Sequence, residues 1–378
     1  MSLTTDAVPA PARPAPAPTD HRGSPIPTWS MITTRFMELR RRRGLMIAMI
    51  FVTIGIPVIY AVIATTLHIV DPKTYGPPGG FNTFQGLSVG VLYLFGFVVA
   101  AALGATAGSV DLSEGMFRHL VITGRSRLAL YIARIPAGLG IVVPLVAIGF
   151  TTICVFSVAT APTTFKYGPA SIPAGLSSTQ LQQWAADNYQ TVVCVLPYSQ
   201  PTPAGVDCRA YGGGGFNQPS APGAKPLTEA QLQAFARTAA VELYPDYSSR
   251  HLNASASLMV KTGLWIELEA IAAFVIGLGL GSLLGQRTIA VILMIILEII
   301  ITPLASRAHI PHLINVQRGI LGVAMSRLRP NGITAALGGG GGNDFHVTES
   351  LGVAIAVIAA WLIVWSALGA WRMMKRDA

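Results

Sequence analysis

Charge is scarce in this chain. Asp, Glu, Lys and Arg make up 11% of its 378 residues, against roughly a quarter in soluble proteins, while hydrophobic residues reach 52% and mean hydropathy +0.54. That shortage excludes a soluble enzyme built around one large core. Cysteine is nearly absent: three residues without a C-x-x-C spacing exclude a metal-binding framework, and Cys154, inside an apolar run, reads as an inert packed thiol. Catalytic signatures are missing too. There is no H-E-x-x-H, no G-x-S-x-G and no recognisable pair of carboxylates in a loop, so intrinsic catalysis is not expected. The glycine run 338–342 lacks the Lys-Ser/Thr of a phosphate loop, so this chain is expected to bind no cofactor itself.

What the chain has is apolar runs of membrane-crossing length, at 44–68, 86–110, 135–160, 263–285, 288–305 and 350–371. The fold class expected is therefore an all-α membrane protein with six transmembrane helices. Only Gln286 and Arg287 separate the fourth run from the fifth, which fits a tight hairpin or one long bent helix. The net charge of +9 is read as topology and not as a nucleic-acid surface. Arg40 to Arg43 precede the first run, Arg118, Arg125, Arg127 and Arg134 lie between the second and third, and Arg372, Lys375 and Arg376 follow the last. This pattern places both termini in the cytoplasm. Residues 1–28, rich in Pro and Ala and without an apolar signal core, are expected to form a disordered cytoplasmic tail. Segment 29–160 then holds an interfacial helix and three spans, 161–262 an extracytoplasmic loop domain, and 263–378 the last three spans with an outer loop at 306–349.

Within 161–262, Cys194 and Cys208 are candidates for a disulfide, which an oxidising compartment would permit and which would contribute about 3 kcal/mol. The same loop carries an echo. Ser177 with Gln180 and Thr228 with Gln231 both fit a capping box, each preceded by a leucine that can staple the first turn, so the loop is expected to be partly helical. The two helices are read either as lids over an exit or as partners packed through their aromatic faces.

Before the first span, Trp29, Ile32, Phe36 and Leu39 recur at helical spacing with Arg35 and Glu38 toward the other side. This predicts an amphipathic helix in the inner interface, its Arg cluster near anionic headgroups at about 1 kcal/mol per basic residue. Between spans two and three, Asp111 can cap a short helix whose Leu112, Met116, Phe117 and Leu120 share a face, ending at Gly124. Such a helix needs a docking surface, either lipid or a groove on a partner. Glu298 lies deep in the fifth run, where a carboxylate is expensive. It is a polar contact within the bundle or between chains, or a substrate or proton site. Glu267 and Glu269, near the end of span four, are assigned to interfacial water, and Gly277, Gly279 and Gly281 to close helix packing. Residues 309–328 are too interrupted to span and too apolar to be fully solvated, which fits an interfacial helix or a gate.

The segment Glu114, Gly115, Met116, Phe117 and Arg118, followed by Gly124 to Arg127, resembles the coupling helix of type-2 ABC exporter permeases. The glycine-rich 277–290 stretch with its basic turn, Pro303, and the order of six spans resemble the same family. The resemblance implies a permease subunit in a bacterial inner membrane that dimerises with an identical or related chain and works with a separate ABC ATPase carrying ATP and Mg. It implies coupling through Glu114 to Arg118 and export of an amphipathic, lipid-like or drug-like compound. In this chain the larger insertion follows span three, whereas many members place theirs between spans five and six. Two rival readings of the residues stand beside it: a proton-coupled secondary transporter using Glu298, and a membrane-anchored scaffold.

Overall fold

The computed structural model describes residues 26–72, 74–113, 126–167, 170–194, 206, 208, 226–250, 253–307, 311–333, 347 and 349–375. Among these residues six helices are long and apolar enough to cross a membrane: Arg43–Val70, Phe81–Val110, Arg127–Ala159, Ala256–Leu284, Arg287–Ser306 and Leu351–Lys375, hereafter spans 1 to 6. The protein is an all-α, multi-pass membrane protein. Spans 2, 3, 4 and 6 extend one or more turns beyond the apolar runs. Span 3 starts at Arg127 because Arg134 is covered by neighbouring helices, so the helix continues through it. Ser255 starts span 4 early by accepting from the Leu258 amide at 3.2 Å.

Span 4 is the hub. Its apolar stretch is 72% buried within the chain, against 17% for spans 1 and 5 and 11% for span 6, which turn their Ile and Val outward. Small residues make this possible. Gly277 and Gly281 lie against the backbone at Ala101 and Ala105, while Gly104 and Gly108 of span 2 lie against the backbone at Phe274 and Leu278. Any Cβ at these four positions would collide with main chain, so the seam is a small-residue contact of the kind that lets helices pack without a hydrophobic driving force. Gly279 does the same toward Trp365 of span 6. Span 4 ends at Gly285, whose φ of 70° is left-handed, and its amide closes the last turn on Gly281 O at 2.9 Å. Span 5 begins two residues later, so the junction is a tight hairpin.

The end of the bundle holding Arg43, Arg127 and Lys375 is called the basic end, the other the loop end. At the basic end the N-terminal helix Trp29–Arg41 packs on span 3, with Met31 and Ile32 against Ala129, Leu130 and Ala133. Its covered residues are Met31, Arg35 and Leu39, while Trp29 is 77% exposed. Arg35 therefore lies on the covered side, contrary to the sequence expectation, and it pairs with Glu38 at 2.6 Å. The helix docks on protein, and that contact selects a stripe rotated from the purely apolar one.

Beyond the loop end, helices Ser178–Asp187, Tyr189–Cys194 and Glu229–Arg250 form a small unit with an antiparallel hairpin, Thr164–Tyr167 with Ala170–Pro173, in which Thr164 faces Pro173. The capping box at Ser177 and Gln180 is present, and the Thr228 amide donates to Gln231 Oε1 at 2.9 Å. Leu181, Ala185, Ala236, Ala239 and Tyr247 form its core, with Trp184 and Phe235 packed at the side. Cys194 is bonded to Cys208, their Cα atoms 5.3 Å apart. The Tyr247 hydroxyl donates to Pro173 O and accepts from the Leu176 amide at 3.4 Å, tying the hairpin to the long helix, and burial pushes that phenol up.

Candidate functional site: a buried acidic cluster under a re-entrant helix

Between spans 5 and 6 the chain does not stay at the surface. Short helices at Ile314–Arg318 and Leu321–Arg327 turn into the bundle, where Leu321, Ala324 and Met325 are fully covered. Three spans hold them. Trp361, well inside span 6, donates its indole N–H to Gly319 O at 2.8 Å. Trp265 of span 4 donates to Met325 O at 3.0 Å, and Gln317 reaches Ala305 O of span 5 at 2.9 Å. Arg327 adds a bond to Glu349 O at 2.8 Å just before span 6. Burial pushes the Glu349 carboxyl up, and the charges of Arg318 and Arg327 pull it part of the way back.

Beneath this re-entrant segment lie the buried acids. Glu298 is 4% exposed. Its Oε1 accepts from the Tyr93 hydroxyl at 3.1 Å, and its Oε2 lies 3.3 Å from Thr302 Oγ1, whose single proton also points to Leu297 O at 3.0 Å. Tyr93 is thus the firm donor. Its ring stacks on Trp265 with centroids 4.4 Å apart and an interplanar angle of 13°. Trp265 and Glu269 are four residues apart and share a face of span 4, which brings Glu269 to the same cluster; it is 1% exposed and feels the Glu298 charge. Both Glu269 carboxylate oxygens lack a hydrogen-bond partner among the described residues, as do those of Glu267. The expectation that these two acids reach interfacial water is corrected here: the carboxylate oxygens of both are covered by the surrounding protein.

Local sequence explains part of this placement. Tyr93 and Glu298 both lie in π-helical stretches, Gly86–Tyr93 and Ile296–Ile301, where a widened turn shifts side-chain direction. Gly322 allows the re-entrant helix to touch span 5, since a Cβ there would come within 2.6 Å of Glu298 Oε2 and would also meet Thr302. The result is a closed cluster of two acids, a phenol and a hydroxyl, beneath a short helix secured by indole hydrogen bonds.

Of the residues singled out from sequence, Glu298 is at the centre of this cluster and the Cys194 to Cys208 bond lies in the separate loop unit. Glu114, Gly115, Met116, Phe117 and Arg118 fall outside the described residues. Tyr93, Trp265 and Gly322 were not singled out. Only a tyrosine and a tryptophan placed in apolar runs hinted at them, since each needs a partner for its polar edge. Arg134, counted only toward topology, is 1% exposed. It donates to Gly108 O at 3.1 Å and to Met373 Sδ at 3.4 Å. The described residues contain no group of three or more His, Cys, Asp or Glu suited to hold a metal ion.

No protein-family model matches the chain, and neither a curated protein nor a solved structure matches it. The functional reading therefore rests on the chain's own geometry and chemistry.

Proposed function

We propose that the protein is the membrane-spanning subunit of an ATP-driven exporter, with its basic end in the cytoplasm and its ATPase on a separate chain. The observation that carries this reading is the clamp on the start of span 3. Met31 and Ile32 grip Ala129, Leu130 and Ala133 from one side. From the other, Arg127 bonds Met374 O at 3.0 Å and Arg134 bonds Gly108 O and Met373 Sδ. Spans 2, 3 and 6 and the N-terminal helix are thereby joined on both sides of the 114–125 connection. A force delivered there by a partner moves a rigid rim and not a single helix, which is the mechanical requirement for coupling in Glu114 to Arg118.

Two further features support a lipid-like cargo and a second permease chain. An apolar groove of about 670 Å³ opens between spans 1 and 3, lined by Val58, Val62, Ile148, Val155 and Phe156. Spans 1 and 5 present apolar faces, with Val62, Ile63, Ile292 and Ile300 exposed, for lipid or a second copy to cover.

Purification of the tagged chain from its native cells in mild detergent, with mass spectrometry of co-purifying proteins and an ATPase assay, tests the proposal. A stoichiometric nucleotide-binding chain is expected, and Glu114→Ala with Arg118→Ala should release it while the permease still reaches the membrane. Recovery of the chain alone, without ATPase activity, would transfer the reading to a proton-coupled carrier centred on Glu298.

A further inference from the structure

We infer that Glu269 is a proton-binding site, holding one proton beside an ionised Glu298 and sealed from the loop end by the Leu321–Arg327 helix. The assignment comes from the donors. Glu298 receives the Tyr93 hydroxyl on one oxygen and a share of Thr302 on the other, an arrangement that suits a carboxylate. Glu269 receives no donor among the described residues and is 1% exposed. An ionised carboxyl without a donor, next to a second carboxylate and inside a bilayer, is the costliest arrangement available. A protonated one removes both the like-charge repulsion and most of the burial cost.

A proton suits the space where other cations do not. The cluster is closed: Trp265 and Tyr93 stack over one side, and Gly322 abuts Glu298 and Thr302 on another. Among the described residues the two carboxyls have no third His, Cys or acidic side chain beside them to make a metal-ligand group. The neighbouring titratable and charged groups are Tyr93 of span 2, Glu298 of span 5 and Arg329, whose charge acts on Tyr93 from just beyond the re-entrant helix; the charge that acts on Glu269 is that of Glu298.

The seal defines the exit. Lifting the Leu321–Arg327 helix breaks the Trp265 bond to Met325 O and uncovers Glu298. Water then reaches Glu269, its O–H bond breaks, the proton passes to that water, and the carboxylate left behind is hydrated. Closure of the helix demands the reverse, so proton uptake and gate position are linked. This inference rests on the closed cluster and stands whichever energy source drives the protein.

The test is infrared difference spectroscopy on the full chain in lipid nanodiscs, with glutamate carboxyls isotopically labelled. At neutral pH the wild type should show a protonated-carboxyl stretch that is lost in Glu269→Gln and retained in both Glu298→Gln and Glu267→Gln, the last because Glu267 carries the other donor-less carboxyl. A wild-type spectrum with every glutamate ionised overturns the inference, as does a band that disappears only in Glu298→Gln. Because the wild-type spectrum decides the first point, a variant that fails to fold does not protect the idea. Transfer to D2O tests the seal: exchange of that proton should be slow in the wild type and about tenfold faster or more in Gly322→Ala, whose methyl wedges the helix open. Equal exchange in the two proteins overturns the sealing role.

Discussion

At the basic end a buried cation, Arg134, sits among acceptors. At the loop half the buried groups are acids, and the one firm donor among them, Tyr93, serves Glu298 and not Glu269. Gly108 O accepts from Arg134 at 3.1 Å and from Ser282 Oγ at 3.3 Å, so one carbonyl ties spans 2, 3 and 4 together, and Met373 and Met374 bring in span 6. A buried cation bonded to several helices fixes their relative positions, because no single helix can move without breaking one of its bonds. The acidic cluster has the opposite balance. Among the described residues it holds two carboxyls for one firm donor, and contacts with a small re-entrant helix close one side of it. One end is built to stay assembled, the other to open.

The glycine seam shared by spans 2 and 4 belongs to the rigid end, and breaking it should have the largest effect. Gly281→Leu places a branched side chain against the backbone at Ala105. The expected cost is about 3 kcal/mol or more, read as loss of monodisperse protein in detergent and a steep fall in thermal stability. A variant as stable as the wild type would show that spans 2 and 4 separate without consequence and would remove the hub role given to span 4.

Neutralising charge sharpens the contrast between the ends. Arg134→Met keeps much of the side-chain volume but removes the bonds to Gly108 O and Met373 Sδ, with an expected loss of about 2 to 3 kcal/mol. Glu269→Gln should cost less than about 1 kcal/mol, because no hydrogen bond is broken and a costly charge is excluded. Denaturation of both variants in the same detergent checks the order. If Glu269→Gln proves the more damaging, the loop half is as tightly specified as the basic end and the proposed division fails.

How much of this was legible in sequence follows from the range of each interaction. The six spans are local properties of composition, and so are the Gly285 turn and the caps at Ser177 and Thr228, which need only three or four neighbouring residues. Glu298 stood out because a carboxylate in a run of Ile and Leu is visible without a partner. Its partner was not visible: Tyr93 is 205 positions away, and nothing in either segment encodes the pairing. Glu269 was read as reaching interfacial water, and Arg134 only as a charge that sets topology, because the burial of a charged residue near the end of an apolar run shows only once other helices cover it. The Thr164–Pro173 hairpin was missed because two four-residue strands carry too little alternation to register.

The smallest expected effect is the most specific to the loop half. Trp265→Phe retains a ring to stack on Tyr93 but removes the indole N–H that holds Met325 O. That carbonyl also accepts from the Leu328 amide at 3.0 Å, so no buried acceptor is stranded, and the global cost should be only about 1 kcal/mol. The consequence belongs in local opening. Amide hydrogen exchange of residues 321–327 should accelerate, while amides around Arg134 and the span 2 to span 4 seam keep their protection. Arg134→Met should produce the converse pattern, with protection falling throughout, because the basic end holds four spans together. If Trp265→Phe instead loosens the whole bundle evenly, the re-entrant helix is part of one cooperative core and cannot open on its own. A local change confined to 321–327 would establish that segment as a separate unit, held over the acids in part by the indole of span 4 and able to leave them while the basic end stays clamped.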